Sequence, residues 1–215
     1  MRPTAVALAL LCAAIAGSAG ARHRGGGQPP GEFDYYVLSL SWSPAFCLDA
    51  PGAAECNGPR RYGFIVHGLW PQYESGSPQH CAGRHRVPEE AVRGIIDLMP
   101  ARSLIEHEWS VHGTCSGLEP MDFFALVRRA YREAVVPQLT TQSVEQPTAA
   151  IADDFLRANP RMPAAALVVT CTGEGAPRLR EVRLCLTREL VARECSPFVM
   201  RAACRARTVI VPPIR

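Results

Sequence analysis

Two short segments hold most of the side chains able to do chemistry. Phe64-Ile65-Val66-His67-Gly68-Leu69-Trp70-Pro71 carries one histidine, and His107-Glu108-Trp109-Ser110-Val111-His112-Gly113-Thr114-Cys115 carries two with a carboxylate between them. A lone histidine is more often a surface or packing residue than a reacting one. Three of them, with an acid and two tryptophans in two clusters that contain glycine, point to a site. The second cluster does not have zincin spacing. That motif needs H-E-x-x-H, which puts both imidazoles on one helical face, whereas here the spacing is H-E-x-x-x-H. At about 100° per residue, His107 and His112 stand roughly 140° apart on a helix, with Val111 and Glu108 between them. Such an arc is poor for chelating one ion and good for lining a cleft. Trp109 faces away from it and is expected in the core.

Several imidazoles and a carboxylate without a metal suit general acid–base transfer at a phosphodiester. Imidazole titrates near neutral pH, so one ring can accept a proton while another donates one. RNA brings its own nucleophile, the 2′-hydroxyl. The protein must then deprotonate that hydroxyl, protonate the leaving 5′-oxygen and stabilise the charge that builds on phosphorus. An aromatic beside a reacting histidine, such as Trp70, suits base stacking.

These residues need a frame. The chain has 215 residues, 47% of them apolar and 20% charged, enough for one packed domain. Its formal charge of +3 is too small to announce nucleic-acid binding by charge alone. Every basic residue is Arg, which we read as compositional bias. Residues 33–42 (FDYYVLSLSW) read as an alternating strand ended by Pro44, 47–59 as loop, and 62–66 as a strand running into His67. Residues 72–87 read as a polar loop. His80 and His85 lie there beside Arg84 and Arg86, a solvated stretch more readily than a phosphate contact. Helices are expected from Pro88 to before Pro100, over 104–115, over 122–136 and over 149–158; strands are expected at 167–171, 179–186 and 208–211. Arg128-Arg129 reads as a solvated helix face. No repeat or linker divides the chain, so one α+β domain is the economical reading.

The start of the chain reads as an export signal. Arg2 precedes an apolar run too short to span a bilayer, and Ala19-Gly20-Ala21 forms a small-x-small cleavage site. Residues 1–21 are therefore expected to be removed, 22–32 (Gly/Pro-rich, with His23) to be a flexible lead-in, and 33–215 to form the domain. Of nine cysteines, Cys12 leaves with the signal. The eight that remain, Cys47, Cys56, Cys81, Cys115, Cys171, Cys185, Cys195 and Cys204, imply four disulfides and an oxidising compartment, the periplasm or the extracellular space. Spacing alone does not fix their pairing. A zinc site fits poorly because no C-x-x-C pair occurs.

The two histidine segments resemble the active-site segments of the ribonuclease T2 family, secreted endoribonucleases with the patterns H-G-L-W-P and H-E-W-x-K-H-G-x-C. The first matches in full at His67 to Pro71, and the second at every defined position but one. The likeness extends to residues 33–47 and to the spacing of the last four cysteines. It implies an α+β fold, an antiparallel sheet flanked by helices. It implies His112 as the base, His67 as the acid, and His107 with Glu108 as the groups that bind and stabilise the phosphate. It also implies a 2′,3′-cyclic phosphate product, RNA as partner, and no metal or cofactor. Trp70, and less directly Tyr73, would bind a base. The implied disulfides are Cys47–Cys56, Cys81–Cys115, Cys171–Cys204 and Cys185–Cys195.

The departure is Val111, where the family pattern has Lys. Arg bias would explain an Arg there but does not explain Val. Losing one electrostatic donor costs about 10²–10³ in rate by analogy with oxyanion holes, so the expectation is a slowed enzyme unless a nearby Arg compensates. The rival reading is a catalytically weakened RNA-binding protein of the same fold. A zinc hydrolase is disfavoured by the histidine spacing. DNA and membrane are not expected partners, and the small size suggests a monomer.

Overall fold

The computed structural model describes residues 28–84, 86–139, 144–173 and 175–214; the expected signal peptide, most of the lead-in and His85 lie outside them. In chain order the elements are β1 (Tyr35–Trp42), α1 (Ser43–Asp49), α2 (Ala54–Asn57), β2 (Phe64–Gln72), α3 (Glu89–Ile95), α4 (Arg102–Val111), α5 (Pro120–Glu133), β3 (Val144–Pro147), α6 (Thr148–Ala158), β4 (Leu167–Cys171), β5 (Leu179–Leu186), α7 (Pro197–Met200) and β6 (Thr208–Val211), with 3-10 turns at Gly113–Ser116 and Ala164–Ala166. The main sheet is antiparallel with strand order β2-β1-β5-β4, and β3 pairs with β6 in a second, two-stranded sheet. This is the α+β arrangement expected.

Strand alternation divides the sheet into two faces. Tyr36, Leu38, Leu40 and Trp42 of β1, with Val182, Leu184 and Leu186 of β5, enter the main core against Phe123 and Val127 of α5 and Ile151 and Phe155 of α6. Tyr35 and Val37 point the other way, into a small cluster with Cys185 and Val199. The first half of β1 is thus apolar on both faces because both are covered. Beyond that cluster, the second face carries the polar groups of the site.

Three sequence expectations are corrected. Residues 47–59 are not simply loop, because α1 and α2 occupy part of them. Pro44 sits in the first turn of α1, where its missing N–H costs nothing, so it starts a helix as well as ending a strand. The second strand does not stop before His67. β2 runs through Pro71 to Gln72, which an edge strand tolerates because one side needs no ladder donor. The helix around His107 does not include His112. α4 ends at Val111, His112 is its C-cap residue, and a 3-10 turn follows. At Gly113 a Cβ would strike the Trp109 ring, so the chain leaves the helix by turning tightly over that indole.

Two elements were not expected. β3 is only four residues long. α7 is capped by Ser196, whose hydroxyl accepts from the Val199 N–H. The cysteines pair as Cys47–Cys56, Cys81–Cys115, Cys171–Cys204 and Cys185–Cys195, the set implied by the resemblance. Cys81–Cys115 closes a separation of 34 residues and staples the loop after β2 to the turn after His112.

Candidate active site

A β-bulge aims the first histidine. β1 and β2 pair Ser39 with Gly68 but Leu40 with Val66, so His67 is the extra residue. Val66 and Leu69 stay in the main core. The inserted residue lets His67 share the opposite face with Gly68 and Trp70. The next strands supply its partners there: Ser41 of β1 is in register with Glu181 of β5, and Ser39 with Arg183.

The imidazole is held through Nδ1, which lies 2.8 Å from Glu181 Oε1 and 3.1 Å from Ser41 Oγ. Glu181 is only 2% exposed, and its Oε2 accepts from Arg183 Nε at 2.9 Å and Nη2 at 2.7 Å. On the other side, His67 Nε2 is 3.5 Å from Glu108 Oε1. Glu108 Oε2 accepts from the indole Nε1–H of Trp70 at 2.6 Å. Gly68 permits that approach, since a Cβ there would fall on Glu108 Oε2 and on the Trp70 indole nitrogen. The Trp70 ring centroid stands 5.5 Å from that of His67 and 5.4 Å from that of His112, which places it between the two.

The electrostatics of the two imidazoles diverge. Burial opposes charge on His67, but its hydrogen bond to Glu181 and the charges of Glu108 and Glu181 outweigh burial and hold it above the ordinary imidazole value. For His112, burial and then the nearby His107, His67 and His80 act together and lower it to about 4. Its Nδ1 is buried with no hydrogen-bond partner among the described residues. Burial raises Glu108, against the pull of His67, Trp70 and His107. Burial also opposes charge on Glu181, but the His67 bond and Arg183 prevail and take it down to about 2.

His67, Glu108, His112 and Trp70 therefore meet in one cleft. His107 is exposed at its edge, near enough to influence Glu108 and His112. Tyr73, past the end of β2, packs against the main core. His80 is exposed, and its N–H donates to the Val111 carbonyl at 2.8 Å. Beside the histidines a pocket of about 250 Å³ is lined by Trp70, Gln72, His112, Arg183 and Phe198, among others. Gln72 Oε1 is buried there without a partner among the described residues. A larger cleft of about 640 Å³, around Ala134, Asn159 and Leu190, holds none of the histidines. Among the described residues, no group of three or more His, Cys, Asp or Glu is placed to hold a metal ion.

Sequence reasoning missed Glu181, Arg183, Ser41 and Gln72. The available signal was alternation: charged residues at 181 and 183 cannot share the core face of 182, 184 and 186, and Gln72 lies two residues beyond Trp70 on one strand face.

The family profile of the Ribonuclease T2 family matches residues 33–195. The chain belongs to this family. Curated relatives include a ribonuclease of Aeromonas hydrophila, 47% identical over 97 residues (45% of this chain, 44% of that one). Ribonuclease DdI of Dictyostelium discoideum is 33% identical over 121 residues (48% and 51%). The chain thus spans about half the length of the curated relatives it matches. Among solved structures, an RNase-related protein from Calystegia sepium superposes with a TM-score of 0.63 at 24% identity, covering 83% of this chain and 96% of that one. RNase NT in complex with 5′-AMP gives 0.62 at 20%, covering 85% and 100%. At these identities the structural likeness carries the T2 fold.

Proposed function

We propose that this T2-family chain is an exported endoribonuclease that cleaves single-stranded RNA by metal-independent transphosphorylation. The observation that carries the reading is the pair of histidines in one cleft whose surroundings push their proton affinities apart. His112, neutral at working pH, takes the 2′-hydroxyl proton. Nδ1 is buried, so Nε2 is the accepting nitrogen. The 2′-oxygen attacks phosphorus and the bond to the 5′-oxygen breaks as His67, held protonated, gives its proton to that oxygen. A 2′,3′-cyclic phosphate and a 5′-hydroxyl result. Glu108, whose burial favours the protonated carboxyl, donates to a phosphoryl oxygen, and His107 attracts the phosphate from the rim. Trp70 stacks a base, with the Gln72 amide within the same pocket. DNA lacks the nucleophile and is not cut. Residues 1–21 act as the signal peptide, and the four disulfides suit the periplasm or the extracellular space.

The test is cleavage of ApU and of bulk RNA by the oxidised mature chain in excess EDTA, with His67→Ala and His112→Ala alongside. Cleavage that survives EDTA, leaves a cyclic end and vanishes in both variants is the expected result. A folded protein that binds RNA without cutting it would replace this reading with the binding role, and inhibition by EDTA would replace it with metal catalysis.

A further inference from the structure

We propose that Arg183 is a catalytic residue of this cleft, its guanidinium meeting the non-bridging oxygens of the scissile phosphate. The inference rests on the RNA-cleaving reading and extends it to a residue outside both histidine segments. A phosphodiester entering here adds its negative charge beside the buried carboxylate of Glu181, so the site needs a fixed positive charge besides that of His67. Helix α4 offers none at its cleft end, where Val111 stands; its arginine, Arg102, lies at the other end and pairs with Glu89 and Glu106.

Arg183 fits that need on three counts. It lines the same pocket as Trp70 and His112. Its guanidinium is fixed by two hydrogen bonds to Glu181 Oε2 and by the Trp70 ring, 5.0 Å away. Those bonds use Nε and Nη2 only, leaving further N–H donors of the fork without a protein partner among the described residues. A donor held in place before the charge develops is the arrangement that favours a transition state over a ground state.

The simpler alternative is that Arg183 only steadies Glu181. The two roles separate in one variant series. If Arg183 meets phosphate, Arg183→Gln lowers kcat by about 10²–10³ with a smaller change in KM. Arg183→Lys then recovers part of the loss, and Val111→Lys in the Arg183→Gln background restores at least about tenfold, more than it adds to the wild type. The groups facing His67 are Glu181 and Arg183 of β5, Ser41 of β1, Glu108 of α4 and, through charge alone, Glu55 of α2 and His112 at the end of α4. Arg183 opposes charge on His67, so its removal leaves the basic limb of kcat/KM in place or moves it upward. If Arg183 only steadies Glu181, that limb moves downward and Lys at position 111 rescues nothing, which overturns the proposal. A 5′-AMP titration reads the same contact without turnover. Binding about tenfold weaker in Arg183→Gln is expected, and unchanged affinity with an unchanged melting temperature also overturns it. Should the wild type bind 5′-AMP yet cleave nothing, the functional reading fails while the titration still decides the contact.

Discussion

His67 and His112 face one cleft from two kinds of scaffold. His67 stands on a bulged strand, with its Nδ1 against a buried carboxylate that is itself gripped by an arginine. His112 stands at the capped C-terminal end of a helix, with its Nδ1 buried and unpartnered among the described residues, and a disulfide three residues on fixes the turn that follows. The first environment is dense in charge partners and favours the imidazolium. The second is largely buried and ringed by other imidazoles, and favours the neutral ring. Acid and base need not differ in residue type when their surroundings differ this much.

The largest effect expected from breaking this contrast is loss of either ring. His67→Ala and His112→Ala each lower kcat/KM about 10²–10⁴-fold, read by dinucleoside cleavage. Next comes the staple on the His112 side. Replacing Cys81 and Cys115 with Ser costs about 2–4 kcal/mol of stability, and hydrogen exchange rises first around residues 112–116 rather than around the sheet. If protection falls equally near His67, the two sides are not held separately.

Glu181→Gln sharpens the comparison. His112 must be unprotonated, so activity falls as pH drops through about 4. His67 must be protonated, so activity falls as pH rises through its raised value. Without Glu181, burial prevails at His67 and that value drops. The basic limb of kcat/KM therefore moves to lower pH while the acidic limb stays. An acidic limb that moves instead would assign the roles the other way round. Smaller still, Val111→Lys raises kcat under substrate saturation, by less than about tenfold if Arg183 already supplies charge. Ser41→Ala changes kcat least, by about threefold or less, because Glu181 keeps the Nδ1 hydrogen bond. A larger loss would make Ser41 a principal anchor of the ring.

The periods of α5, α6 and β6 were legible because each buries one regular face, and β4 and β5 through their runs of β-branched and aliphatic residues. Both histidine segments were legible too, through residue type and spacing. What escaped was set by other parts of the chain. Glu181 lies 114 residues from the histidine it holds, and only the pairing of β1 with β5 brings them together. The bulge at His67 leaves no composition cue, because it is a difference in register between two strands. The C-cap position of His112 depends on Gly113 folding over Trp109, which helical arithmetic over one segment cannot contain. Val111 was expected to face the site along an arc continued through His112; that arc ends at Val111 itself.

Gly68 sets a mechanical tolerance for the whole cleft. No room for a methyl group remains between strand β2, the Glu108 carboxylate and the Trp70 indole. The floor is therefore closed to adjustment by substitution, since any side chain there would displace the Glu108 carboxylate and the Trp70 indole from each other. Variation is left to residues outside that contact, and Arg183 is not free either, because its guanidinium grips the carboxylate that holds His67. A lineage tuning this site for rate or for base choice would have to work from its edges inward.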